Sequence, residues 1–99
     1  MSLVFAKSGY KVELLEEIPR IPSSDARING ILADLKKVSS HNNIVNDAKK
    51  TIYKQGAKIV LFEFEEETEK IHKEIFQLQK IKIHGKYYFT KNHNKVYEF

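Results

Sequence analysis

The sequence predicts an α/β (α+β) fold with a mixed central sheet, in the order helix, strand, strand, strand, helix, strand, followed by a second helix and a C-terminal β-meander. Three observations predict it. Asn29-Gly30 lies between two alternating runs and marks a two-residue hairpin, because a type I′ turn needs positive φ at both central positions. Ile44, Ala48 and Ile52 recur at helical spacing and lead through Gly56 into the apolar run Ile59-Val60-Leu61-Phe62, so a crossover to a parallel strand follows. The acid-rich segment from Glu65 to Gln79 carries a narrow apolar stripe, after which aromatic residues alternate to the end of the chain.

Taken in order, residues 3–8 read as the last turns of a helix ended by Gly9. Either the chain opens with one short helix or an upstream part of it has been lost. Tyr10 to Glu16 follows as a strand with Tyr10, Val12 and Leu14 on one face. Pro19 and Pro22 hold the next stretch extended and deliver the chain into the hairpin. Ser39 to Asn43 is rich in residues that cap helices, and a helix from Ile44 to Gln55 stops at Gly56. Lys58 to Phe64 is apolar enough to be a strand covered on both sides. The second helix takes Thr68, Ile71, Ile75 and Leu78 as its stripe, and the meander turns at His84-Gly85-Lys86 and at Lys91 to Asn94.

With 99 residues, 41% hydrophobic and 30% charged, a single domain over residues 1–99 is expected. The absence of cysteine excludes disulfides and thiolate metal sites. No apolar run approaches the roughly 18–20 residues of a membrane span, and the start lacks the pattern of a signal peptide. A cytoplasmic location is the expectation. Net charge is +4, which favours polyanionic partners, and after Leu78 five lysines face a single acid, Glu98.

The hairpin register carries the chemistry. With Asn29 and Gly30 in the turn, Ile28 pairs Ile31, Arg27 pairs Leu32, Ala26 pairs Ala33, and Asp25 meets Asp34. Like charges opposed at roughly 5 Å are destabilising, so such a pair calls for a shared proton, a cation or a bent strand. Lys36 lies two residues beyond Asp34 and shares its face. Two carboxylates suit a hard divalent ion, and an ammonium beside them can steady charge on a phosphate. The same three residues on a solvated hairpin face are the alternative.

Asp25 followed by Asp34-Leu35-Lys36 resembles the PD-(D/E)xK pattern, with Ser24 where the pattern has proline. The wider text runs from Ala6-Lys7-Ser8-Gly9-Tyr10 through Ile28-Asn29-Gly30, Ala33-Asp34-Leu35-Lys36, Ser39-Ser40 and Asn42-Asn43-Ile44 to Lys54-Gln55-Gly56-Ala57. Over roughly residues 5–64 it resembles the C-terminal tRNA nuclease domain of contact-dependent growth inhibition toxins (CdiA). That resemblance implies a restriction-endonuclease-like core and cleavage of tRNA or other RNA with a divalent metal ion (Mg, Mn or Zn). It also implies a cognate immunity protein and delivery into a target-cell cytoplasm as part of a larger secreted toxin. On it, Asp25 and Asp34 are metal ligands and Lys36 assists the attacking water. From their own chemistry, Lys37, Ser40, His41, Lys49 and Lys50 are candidate nucleic-acid contacts, with helix capping for Ser40, a surface turn for His41 and a solvated helix face for Lys49 and Lys50 as the alternatives. The family has a further acid on a helix upstream of the Gly-Tyr segment that this sequence lacks, with Glu13, Glu16 or Glu17 as substitutes.

Two other readings stay open. A truncated or inactive relic would keep the basic surface as a nucleic-acid-binding module, and a metal-independent ribonuclease of the barnase/EndoU/RelE type would rely on Lys36, Ser40 and His41. His72, His84 and His93 show no metal-ligand spacing and read as surface residues. Tyr87, Tyr88 and Phe89 read as sheet core more readily than as base-stacking residues.

Overall fold

The computed structural model describes residues 2–16, 24–38, 44–92 and 94–99. Helix α1 (Ser2–Lys7) is followed by strands β1 (Val12–Leu14), β2 (Ala26–Ile28) and β3 (Ile31–Val38), and then by helix α2 (Ile44–Lys54). Strand β4 (Ile59–Phe64), helix α3 (Glu69–Lys80), strand β5 (His84–Phe89), a 3-10 turn (Thr90–Asn92) and strand β6 (Tyr97–Glu98) complete it. The six strands form one mixed sheet in sequential order. β1, β2 and β3 pair antiparallel, β4 runs parallel to both β3 and β5, and β6 closes the far edge antiparallel to β5. Among the described residues no helix is long and apolar enough to cross a membrane.

The strand alternation sorts side chains into two layers. Val60, Phe62 and Phe64 of β4 pack with Ile44 and Ala48 of α2 and with Ile71, Ile75 and Leu78 of α3. Leu61 faces the other way, into a smaller cluster with Phe5 of α1, Ile28, Ala33 and Tyr88. Two helices therefore cover one face of the sheet, and the short α1 covers the other. Opposite α2 and α3, the Lys86 ammonium lies 4.6 Å from the Tyr10 ring centre and 2.7 Å from Glu98 Oε1, which also accepts from the Tyr10 hydroxyl. This clasp ties β6 to the start of the sheet.

Four expectations are corrected in detail. The first strand is shorter than Tyr10 to Glu16, and its Leu14 is largely exposed. Helix α3 begins four residues after Glu65 because Thr68 is its N-cap rather than part of its stripe, accepting from the Ile71 N–H at 3.2 Å. In α2 the fully buried polar residue is Thr51, while Ile52 is only half-buried. Finally, His84-Gly85-Lys86 is not a turn. The chain turns earlier, at Lys82 (φ 62°), and Gly85 lies within β5. A Cβ there would run into the Val60 carbonyl oxygen and meet the Phe99 ring at 2.8 Å. Glycine is needed for close approach, and Gly85 exchanges both backbone hydrogen bonds with Phe99. Tyr87, Tyr88 and Phe89 are all buried and serve as sheet core.

Candidate functional site

The site starts from the turn. Asn29 (φ 50°) and Gly30 (φ 83°) both have positive φ, as a type I′ turn requires. Asn29 also anchors β1: its Oδ1 accepts from the Lys11 N–H, and its own N–H donates to the Lys11 carbonyl, both at 2.8 Å. The register beyond the turn pairs Ile28 with Ile31, Arg27 with Leu32 and Ala26 with Ala33. Asp25 and Asp34 are the next two residues outward.

There the ladder gives way to a reciprocal clasp. The Asp25 N–H donates to Asp34 Oδ1 at 3.0 Å, and the Leu35 N–H donates to Asp25 Oδ2 at 3.2 Å. Each carboxylate thus uses one oxygen on the backbone of the opposite strand. The two carboxyl groups also lie within hydrogen-bond reach of each other, a contact that favours the protonated form of Asp34. The Asp25 carbonyl accepts from the Leu15 N–H at 2.9 Å, so β1 supports the same bend from its other side.

Strand register fixes which way the group points. Asp34, Lys36 and Val38 lie beside Val60, Phe62 and Phe64, and Val38 joins the cluster beneath α2 and α3. Asp34 is 1% exposed, while Asp25 and Lys36 are half-buried. Burial, and after it the neighbouring Asp25 charge, pushes the Asp34 carboxyl from its ordinary 3.8 up to about 6; Lys36 pulls the other way with less effect. A buried carboxyl beside a second one is short of positive charge.

A hard cation fits this shortage. Two adjacent carboxylates, each using one oxygen on a backbone N–H, match Mg2+ or Mn2+, which keep several waters and bind through one or two carboxylates. Zn2+ fits less well, since it draws three or four ligands from the protein. Among the described residues no group of three or more His, Asp or Glu side chains converges for a metal. Glu13 lies on the same face, but Arg27 holds it at 2.8 Å. Glu16 is exposed, and Glu17 lies outside the described residues.

The remaining sequence-derived positions are scattered. Lys37 is exposed and alternates to the sheet face opposite Lys36, beside Glu63 of β4. Lys49 and Lys50 are exposed on α2. Ser40, His41 and His93 lie outside the described residues. His84 is exposed, and His72 pairs with Glu67 at 2.7 Å on the surface.

No family model matches this chain, and no curated protein matches it. Among solved structures it is similar to a chain of the CdiA-CT/CdiI toxin and immunity complex from Burkholderia pseudomallei. The TM-score is 0.68 at 17% identity, covering 98% of this chain and 76% of that one. The likeness is one of fold.

In this chain the clasp lies at the outer end of the β2–β3 hairpin. Sequence reading found the pairing because turn chemistry sets register locally. It missed the two carboxylate-to-amide bonds and the burial of Asp34, which depend on a bend after Ser24 and on the helix layer above β3. Alternation from Asp25 would have signalled Arg27 as a cation on the same face.

Proposed function

We propose that this chain is a toxin-type nuclease domain that hydrolyses phosphodiester bonds in RNA, with tRNA as its substrate class. In this reading it acts within a contact-dependent growth inhibition system, is delivered into a target-cell cytoplasm and is held in check by a cognate immunity protein. The observation that carries the reading is the Asp25–Asp34 clasp with Lys36 on the same sheet face. Asp25 followed by Asp34-Leu35-Lys36 fits the PD-(D/E)xK order. The similarity to a toxin and immunity complex supports the setting.

Asp25 and Asp34 would hold a divalent ion through their second oxygens, each kept in place by the backbone bond that occupies its first. Such an ion supplies Lewis-acid polarisation of the phosphate and acidifies a water at neutral pH. The Lys36 ammonium, on the same face, steadies negative charge that develops on the phosphate oxygens. Lys49 and Lys50 provide exposed positive charge along α2 for a polyanionic strand.

Cleavage of tRNA tests the proposal. The wild-type chain is expected to cut in Mg2+ or Mn2+ and to stop in EDTA. Asp34→Ala is expected to lose at least about 100-fold in rate while keeping its far-UV circular dichroism, since a metal ligand is removed. The pairing of Glu13 with Arg27, which leaves two acids for the ion, favours a second reading as a nucleic-acid-binding module. RNA binding with equal, metal-independent behaviour of wild type and Asp34→Ala would establish that module instead.

A further inference from the structure

Helix α2 covers the sheet face to which Asp34 and Lys36 point, and its inner row is apolar except at its C-terminal end. Ile44 and Ala48 belong to one buried cluster with Val60, the β4 residue beside Asp34, and with Phe62 and Phe64. One turn further along the same row stands Thr51, fully buried. Its Oγ1 has no hydrogen-bond partner, although a helical threonine can return its hydroxyl to a carbonyl of the preceding turn. Gln55 continues the row, and its Oε1 is likewise buried and unpartnered.

The chain leaving α2 fixes where this polar end sits. The Ala57 N–H donates to the Thr51 carbonyl at 3.4 Å, and the Lys58 N–H donates to the Leu32 carbonyl at 2.8 Å. The last turns of α2 are therefore tied to β3 two residues before Asp34. A buried hydroxyl left unpaired costs about 1–3 kcal/mol, and buried water is the usual way such groups are satisfied. Asp34 is buried on this same face of β3, beside Val60 of the cluster to which α2 belongs.

We propose that Thr51 is a positioning residue for the Asp25–Asp34 site, its hydroxyl holding a water molecule against the second Asp34 oxygen from the helix layer above. The Asp34 carboxylate is then fixed on two sides, by the Asp25 N–H and by the Thr51-held water. Outer partners of this kind orient metal-binding carboxylates, and their removal typically costs 10–100-fold in metal affinity.

The inference rests on the metal reading of Asp25 and Asp34, and the experiment separates the two. Manganese chloride is titrated into the wild-type chain, Thr51→Val and Thr51→Ser, with calorimetry reading the affinity and circular dichroism reading the fold. Thr51→Val keeps the shape of the side chain and is expected to bind Mn2+ about 10-fold more weakly, whereas Thr51→Ser, which keeps the hydroxyl, stays within about twofold of wild type. Wild-type affinity in Thr51→Val would overturn the inference alone and leave threonine as a filler of the helix layer. Weakened binding in both variants would trace the loss to packing and overturn it as well. A wild-type chain with no response to Mn2+ would overturn the metal reading and this inference together.

Discussion

Asp34 combines the features that make the site unusual: burial, a neighbouring carboxyl and a single ammonium on the same face. Its carboxyl is raised to about 6 in the folded chain against 3.8 ordinarily. The folded state therefore binds this proton more tightly than the unfolded chain does, and stability falls as pH rises from about 4 through about 6. Above that range the ionised carboxylate is a burden on the fold. Asp34→Asn removes the charge but keeps an oxygen for the Asp25 N–H, so it is expected to stabilise the protein at pH 8 by on the order of 2 kcal/mol. Melting temperatures between pH 4 and pH 8 check this. In millimolar Mn2+ the wild type is expected to gain stability at pH 8 and Asp34→Asn is not, because binding to the folded state alone stabilises it. A flat pH profile for the wild type would contradict the account of Asp34.

At the scale of elements, what was legible depended on how local the cause was. The β2–β3 hairpin follows from two adjacent residues whose backbone preferences stand on their own, and the parallel β4 follows from a helix of ordinary length between two strands. The start of α3 was misplaced because Thr68 can serve a stripe or a cap, and only the bond to the Ile71 N–H distinguishes them. β5 was hidden for a similar reason. Gly85 beside histidine and lysine resembles a turn, whereas its role comes from Val60 and Phe99, which are distant in sequence. The real turn places a lysine in the left-handed region, where no sequence signal marks it. The two glycines consequently differ in their tolerance. Gly30→Ala has open space around it and is expected to cost about 1 kcal/mol for its positive φ, while Gly85→Ala forces β4 and β5 apart and is expected to cost about 3 kcal/mol or more. Urea denaturation of both variants checks the order, and equal losses would contradict the packing assigned to Gly85.

For the whole molecule, the sheet brings together at one place what the sequence holds nine residues apart, on the face that α2 and α3 cover. The alternation of β3 divides its charges: Lys36 stays with the acids and Lys37 leaves for the opposite face. Composition gave the basic balance but not this division, which needs the strand to be placed in its sheet. The central claim is that the clasped pair holds a hard divalent cation between its two carboxylates. Anomalous diffraction from crystals soaked in manganese chloride tests it most directly. The account predicts one strong peak within coordination distance of an oxygen from Asp25 and an oxygen from Asp34, with Lys36 on the same side. Full-occupancy manganese elsewhere, with no peak between the two carboxylates, would contradict it.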